Sequence, residues 1–364
     1  MYLEELTIVN YKNILQKDFK FSKRINCFVG QNGVGKTNVL DSIYSLSMTK
    51  SYFNPISSQN INHDSSFFLL QGNYSNIGKK EKIVYSLKKG QRKTLKRNGK
   101  VYDKISEHIG LIPVVIVSPA DRDLIVEGSE TRRKFMDAVI AQMNQEFLHA
   151  SVQYNKVVAQ RNALLKYFAA NRNFDALSLD AFDEQLIRYG NKIHAGRKAF
   201  LEEFIPFFLK YYKAISGKEE AVNLNYKSHL NTGDFSDLLH ENLNKDRLVQ
   251  YSTVGVHKDD LLFEMHGYPI KKYGSQGQQK TFLVALKLAQ YDFLSAHTQT
   301  KPILLLDDIF DKLDDQRVGQ LINLVSSDEF GQIFISDTHD ERTKEVVSGA
   351  GESYEIFNLD YGKE

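Results

Sequence analysis

One cysteine, Cys27, is all the sequence holds. It cannot close an internal disulfide, which excludes a disulfide scaffold and fits a reducing, cytoplasmic setting. No apolar run approaches the roughly 20 residues that span a bilayer. The longest, around "LIPVVIV" and "ILLL", have the length of buried strands, so no membrane partner is expected. The start, "MYLEELTIVN", carries early acids and lacks a basic region followed by an apolar one; no signal peptide is expected. Formal net charge is only +2, too small to imply a polyanion partner by itself. With 42% apolar and 25% charged residues over 364 positions, disordered and membrane classes drop out. The length suffices for one large domain or two ordinary ones.

The distribution of charge says more than its sum. Residues 79–100 hold ten Lys or Arg and one acid, Glu81. Two strand-like runs, "KIVYSL" and "KTLKR", lead to a turn at Asn98 and Gly99. Lys89, Arg92, Lys93, Lys96, Arg97 and Lys100 on such a hairpin are candidates for contacts to DNA phosphates. A merely solvated hairpin face explains the same composition equally well.

Short strands read from "LEELTIVNY", "KDFKFS" and "INCFVG", followed by a helix over about 36–47 and further strands as far as Val117. From about 130 to 212 the apolar residues fall at helical spacing. Phe135, Val139, Met143 and Phe147 form one run, and Tyr154, Val157, Val158, Leu164, Leu165 and Phe168 the next. "LKYFAANRNFDALSLDA" reads as a long connection. Strands resume after about Asn223. The last third gives a helix after Gly277, the strand "PILLLDD", a helix from about Asp315, the strand "QIFISD" and a closing strand near "YEIFNL". The expected organisation is an α/β domain built from 1–118 and 223–364, interrupted by an all-helical arm over 119–222.

"GQNGVGKT", residues 30–37, matches G-x-x-x-x-G-K-[ST] between a strand and a helix. Gly30, Gly33 and Gly35 let backbone N–H groups of Gln31, Asn32 and Val34 curl around phosphate oxygens, and the helix whose first turn holds Lys36, Thr37 and Asn38 points its positive end at the same anion. Lys36 is placed to reach the β- and γ-phosphates of ATP, and Thr37 to put its hydroxyl on Mg²⁺. The acidic partner is "PILLLDD". Its four apolar residues read as a central parallel strand buried on both faces. Asp307 and Asp308 follow where open α/β sheets place their ligands. Asp307 is the candidate Mg²⁺ carboxylate. Asp308 is the candidate that positions or deprotonates the attacking water. Alone, the acid pair reads equally as a cap for the next helix.

Many P-loop NTPases share those two motifs. "YGSQGQQK" narrows them, because a Ser-x-Gly-Gln element at a helix start before the acidic strand resembles the signature of ABC-type ATPases. In that superfamily the signature binds the ATP of a second subunit. The resemblance therefore implies a trans role for Ser275, Gln276, Gly277 and Gln278. It extends to "DKLDD", with Asp314 crossing the dimer interface, and to "SDTH", with His339 as the switch histidine near the γ-phosphate. The fold class this implies is an ABC-type P-loop ATPase head with an inserted all-helical arm.

Along essentially its whole length the chain resembles the RecF family, recombination-mediator ATPases related to SMC heads. The shared residues include "NYKN" at 10–13, "KRNGK" at 96–100, "SPADRDLIVEGSETRRKFMD" at 118–137, "QRNALLK" at 160–166, "FDEQL" at 182–186, "GVHKDDL" at 255–261 and "LLLDDIFDKLD". The resemblance implies a weak ATPase that binds gapped DNA at single-strand/double-strand junctions and dimerises on ATP. It also implies cooperation with RecO and RecR in loading RecA for replication-linked repair and the SOS response. By the same resemblance Lys12 and Asn13 help hold the nucleotide; otherwise they are turn residues at a strand end.

Two departures stand out. The family pattern "GPHRDDL" is here "GVHKDDL", where Lys258 lacks the bidentate geometry of arginine. His257, Asp259 and Asp260 are expected in turn and capping roles, not as a metal site. No Q-loop glutamine is evident where "SPAD" enters the arm. The second acid is Asp, one methylene shorter than the Glu of transporters, which is consistent with slow turnover. The competing readings are a subunit of another ABC-type system, in transport or defence, and a nucleotide-binding protein without turnover.

Overall fold

The computed structural model describes residues 1–76, 79–217, 220–308, 329–338 and 354–360. In chain order the strands are β1 (Tyr2–Tyr11), β2 (Ile14–Lys20) and β3 (Ile25–Val29), then helix α1 (Lys36–Met48). Strands β4 (Phe67–Asn76), β5 (Lys79–Lys88), β6 (Thr94–Arg97), β7 (Lys100–Val101) and β8 (Val114–Val117) follow. Helices α2 (Asp123–Val126), α3 (Ser129–Ala141), α4 (Gln145–Asn171) and α5 (Ala176–Ser216) come next. After them are β9 (Val222–Lys227), α6 (Phe235–Val249), β10 (Asp260–Met265), β11 (Tyr268–Pro269), α7 (Ile270–Tyr273) and α8 (Gln276–His297). Strands β12 (Ile303–Asp307), β13 (Ile333–Asp337) and β14 (Tyr354–Asn358) close the chain. Among the described residues no helix is long and apolar enough to cross a membrane.

The chain divides into two compact units. The first comprises Met1–Arg122, Lys210–Lys218 and Gln276–Glu364. It holds a five-stranded sheet in the order β14-β3-β13-β12-β8, parallel throughout. It also holds a six-stranded sheet in the order β2-β1-β4-β5-β6-β7, antiparallel throughout. Every residue of β3, β8, β12 and β13 is buried, as expected of parallel strands covered on both faces. Helix α1 packs against strands of both sheets, so nearly all its length is buried. Phe19, Phe21, Phe28, Phe334 and Phe357 form one cluster of edge-on and stacked rings, an arrangement that adds to the burial of each ring. Buried Gln332 accepts from Leu3 N at 2.7 Å and donates to the Leu3 and Ser22 carbonyls at 2.8 Å. One side chain thus satisfies main-chain groups of the N-terminal strand from the residue before β13.

The predicted basic hairpin is present. Asn98 and Gly99 take φ 51° and 84°, the left-handed pair that a two-residue hairpin turn requires. The Asn98 carboxamide oxygen accepts from Lys82 N at 2.8 Å and fixes the register.

The second unit comprises Asp123–Leu209 and Glu219–Ser275. Long helices dominate it, as expected, but it is not all-helical: β9, β10 and β11 form an antiparallel sheet in the order β11-β10-β9. This revises the expected boundaries. Residues 219–275 belong with the helices and not with the head, because β10 pairs with β9 and packs on α3, while α6 packs on α4. The head in turn takes the end of α5. The long connection expected over 165–181 shrinks to residues 172–175. Arg172 closes α4 with φ 49°, and the Asp175 carboxylate accepts from Ser178 at the start of α5. Helix α6, over a stretch expected to be strand, is capped by Asp234, whose carboxylate accepts from Ser236 N at 2.7 Å.

Arginines paired with carboxylates fix the packing of this unit. Arg161 donates to Asp183 at 2.5 Å and to Asp246 at 2.6 Å. Arg197 donates to Asp137 at 2.9 Å and to Asp259 at 2.8 Å. Arg132 grips Asp260 with two bonds, 2.7 and 3.0 Å. Each guanidinium is opposed by carboxylates, which makes its burial tolerable. Asp259 and Asp260 are therefore structural. His257 donates from Nε2 to the Ser252 carbonyl at 3.0 Å and accepts at Nδ1 from Tyr154 Oη at 2.9 Å. Lys258 lies over the Tyr251 ring, 5.0 Å from its centroid.

Candidate functional site

The P-loop sits at the C-terminal end of β3. Register pairs Asp337 of β13 with Val29 and Asp307 of β12 with Ser336. The parallel sheet therefore carries the loop and two acidic strand ends to one edge. Gly30, Gly33 and Gly35 take φ 155°, 88° and 108°, conformations that side chains resist. A Cβ on Gly30 would collide with the Leu359 carbonyl, and one on Gly35 would come 3.1 Å from Asn13 Oδ1. Lys36 is buried and its Nζ donates to the Gly30 and Gln31 carbonyls at 2.6 and 2.9 Å. The loop is thus curled around the lysine that the motif places there.

Thr37 Oγ1 donates to Asp307 Oδ1 at 2.8 Å, and Ser336 Oγ donates to the same oxygen at 2.7 Å. Burial pushes the Asp307 carboxyl up from its ordinary value; the Ser336 and Thr37 hydrogen bonds oppose that, and Asp308 reinforces it. A hard-oxygen pair of this kind, with a carboxylate short of solvation, suits Mg²⁺. Among the described residues no three or more His, Cys, Asp or Glu side chains cluster so as to hold a metal ion. Asp308 adopts φ 49°, a left-handed conformation that Asp tolerates better than most residues. Its N–H donates to Ser336 O at 3.2 Å and to Ser336 Oγ at 3.1 Å. With Ser118, Arg122, Gln279 and Lys280 it lines a cavity of about 300 Å³.

The turn between β1 and β2 supports the loop from outside. Asn13 Nδ2 donates to the Gly33 carbonyl at 3.0 Å, and Asn38 Nδ2 donates to Asn13 Oδ1 at 2.7 Å. Lys12 is committed inward, 2.5 Å from the buried carboxylate of Asp41. Asp41 also accepts from Tyr11 Oη at 2.8 Å, Ser51 Oγ at 2.6 Å and Tyr52 N at 2.7 Å. Motif reading missed Asp41, whose partners are scattered along the chain; its place one helical turn after Thr37 is the only local signal.

Ser275 and Gln276 are exposed, and Gly277 and Gln278 half-buried, at the start of the 22-residue helix α8. Asp314 and His339 lie outside the described residues. On the basic hairpin the structure separates two groups. Lys89, Arg92, Lys96 and Lys100 are exposed. Arg97 is not a free phosphate ligand, since it donates to both oxygens of Glu81 at 2.9 and 2.6 Å. Lys93 donates to the Thr49 carbonyl at 2.8 Å, where α1 ends. A cation there satisfies a terminal carbonyl and complements the helix dipole.

The RecF/RecN/SMC N terminal domain family matches residues 2–360. The DNA replication and repair protein RecF of Flavobacterium johnsoniae is 58% identical over 359 residues, covering 99% of this chain and 100% of that one. The protein of the same name from Phocaeicola vulgatus is 48% identical, covering 100% and 98%. A solved structure of the recombination mediator protein RecF with ATP, in the RecFOR pathway, superposes with TM-score 0.86 at 31% identity, covering 93% and 92%. An SMC head bound to the C-winged helix domain of ScpA shares the fold at 15% identity and TM-score 0.55. The head is accordingly an ABC-type P-loop ATPase fold, and the chain belongs to the RecF family.

Proposed function

We propose that this chain is an ATP-dependent DNA-binding protein of recombinational repair, in which ATP draws two heads together on gapped DNA and hydrolysis times their release. The observation that carries the reading is the 2.8 Å hydrogen bond from Thr37 to Asp307. It sets the P-loop hydroxyl against the acidic strand end, the pair that holds Mg²⁺ in P-loop NTPases. When bound, the ion neutralises phosphate charge. The chain's own groups do the rest. The loop N–H groups and the α1 N-terminus bind phosphate oxygens, and Lys36 supplies a positive charge beside them. Asp308 orients the attacking water and accepts its proton. In this reading its side chain, one methylene shorter than glutamate, contributes to a slow turnover.

Ser275, Gln276, Gly277 and Gln278, at the start of α8, are assigned the trans phosphate contact, with Asp314 at the interface and His339 as the switch. Exposure of Ser275 and Gln276 supports the assignment. Lys89, Arg92, Lys96 and Lys100 are assigned to DNA phosphates. RecO and RecR are the proposed partners, loading of RecA the proposed outcome and the cytoplasm the proposed location; the related RecF–ATP structure is described within the RecFOR pathway. Full-length similarity to RecF proteins leaves the transport and defence readings without support.

The test compares wild type with Asp308→Asn on gapped DNA in the presence of ATP. The variant should bind ATP, assemble, and stay on DNA longer than wild type. Equal lifetimes on DNA would remove hydrolysis as the release step.

A further inference from the structure

A buried polar chain runs through the head and is used by none of the chemistry above. It begins at Asp41 on α1, a residue with no solvent exposure, 0%. Asp41 Oδ1 accepts from Tyr52 N at 2.7 Å. The other end of the same tyrosine, its hydroxyl, donates to Asp121 Oδ1. Asp121 lies in the turn after β8, where its second oxygen accepts from Ser118 N at 2.8 Å. Lys287 of α8 completes the chain, 2.8 Å from Asp121 and 3.2 Å from Tyr52 Oη. Its side chain is only 4% exposed and that of Asp121 only 2%. The Tyr52 ring is itself held edge-on against Tyr44 of α1, centroids 5.1 Å apart.

A buried Lys–Asp pair is a poor source of net stability, because the desolvation of both charges offsets their attraction. What such a pair does provide is direction: it fixes one helix against one turn in a single geometry. Here the geometry joins the helix whose first turn carries Lys36 and Thr37 to the helix whose first turn carries Gln276, Gly277 and Gln278. Lys287 is eleven residues along α8 from Gln276, roughly 16 Å at 1.5 Å per residue. A small shift or tilt of the helix at Lys287 therefore displaces its start. Asp121 also occupies the turn after β8 in which no Q-loop glutamine is found.

We propose that Tyr52, Asp121 and Lys287 are positioning residues that transmit the state of the P-loop helix α1 to the signature helix α8. The inference deepens the ATP-driven pairing proposed above and rests on it for its purpose. Neither residue of the Asp121–Lys287 pair needs to touch ATP. Tyr52 acts through the rigid link between its main-chain N–H, bound to Asp41, and its hydroxyl, bound to Asp121.

The test is hydrogen exchange of α1 and α8 amides with and without ATP and Mg²⁺, comparing wild type and Tyr52→Phe at matched oligomeric state. In wild type, ATP should slow exchange at the P-loop end of α1 and over residues 276–284, the latter by about fivefold or more. Tyr52→Phe should keep the α1 response and lose most of the α8 response. The double variant Asp121→Asn with Lys287→Met leaves no buried charge unpaired and should show the same uncoupling. An α8 response equal in all three proteins, or absent from wild type, overturns the relay. Mass measured in parallel tests the pairing: a wild type that never dimerises refutes the pairing alone, because the exchange comparison is read within one oligomeric state.

Discussion

Thr37 and Asp307 are 270 positions apart in sequence and joined by one 2.8 Å hydrogen bond. The parallel register of β3, β13 and β12 makes that meeting obligatory. The carboxylate on one side of the bond is buried and raised in pKa by that burial. An unneutralised charge there costs the fold something, and a bound cation relieves it.

Asp307→Asn follows from this directly. Without Mg²⁺ the variant should melt at the wild-type temperature or above, because a buried charge is gone. Addition of ATP with Mg²⁺ should stabilise wild type by several degrees and the variant hardly at all. Thermal unfolding with and without ATP and Mg²⁺ gives both numbers; a variant stabilised as much as wild type would take Asp307 out of the metal site.

Gly35 ties the conformation of the loop to the Asn13 strut. Gly35→Ala combines φ 108° with a methyl group 3.1 Å from Asn13 Oδ1. Left-handed strain of about 1–2 kcal/mol and displacement of the Asn13 strut should weaken ATP binding at least about tenfold. Isothermal titration checks this, and unchanged affinity would mean the loop adjusts without cost.

Two buried histidines set the acid limit of stability. His108 donates from Nε2 to the Leu46 carbonyl at 2.7 Å, with Nδ1 3.2 Å from Tyr102 Oη. His257 has the matching pair of bonds with Ser252 and Tyr154. Burial holds both neutral, pushed down to about 4 from an ordinary 6.5. The unfolded chain then binds protons more readily than the folded one. Stability is complete above about pH 6.5 and falls as pH drops toward 4, by on the order of 3 kcal/mol per histidine. Urea unfolding at pH 7 and pH 4.5 measures the loss, and His257→Asn should reduce the pH slope.

The basic hairpin divides into structure and contact. Charge reversal of Lys89, Arg92, Lys96 and Lys100 should weaken DNA binding and flatten the log–log salt dependence by about 0.9 per lost phosphate contact. Melting temperature should stay close to wild type. Reversal of Arg97 should instead destabilise the hairpin, because the Glu81 carboxylate then faces another acid. Unchanged DNA affinity in the first variant would leave those lysines as a solvated face.

Local chemistry was legible in the sequence and long-range chemistry was not. The P-loop, its flanking strand and helix, the acidic strand end and the Asn98–Gly99 turn each lie within a few consecutive residues, so spacing alone exposes them. The assignment of 219–275 to the helical unit depends on β9–β10 pairing across an intervening helix. The short link at 172–175 depends on a left-handed Arg172, a conformation that residue type does not announce. Asp41 and Tyr52 carry no motif; their importance lies in partners ten or more positions away. Arg97 reads as ligand-facing because its charge is visible in sequence, and Lys12 because of the family resemblance, whereas the acids that engage them, Asp41 and Glu81, are identified only by the fold.

The central claim is that the first turn of α8 meets a nucleotide held by a second copy of the chain. Sedimentation of the 41.7 kDa protein with and without ATP tests it most directly, with Ser275→Arg alongside. Wild type should move from single-chain to double mass on ATP, and Ser275→Arg should bind ATP yet keep the single mass. A wild type that keeps its single mass at saturating ATP, or a Ser275→Arg that dimerises as readily, would contradict the account.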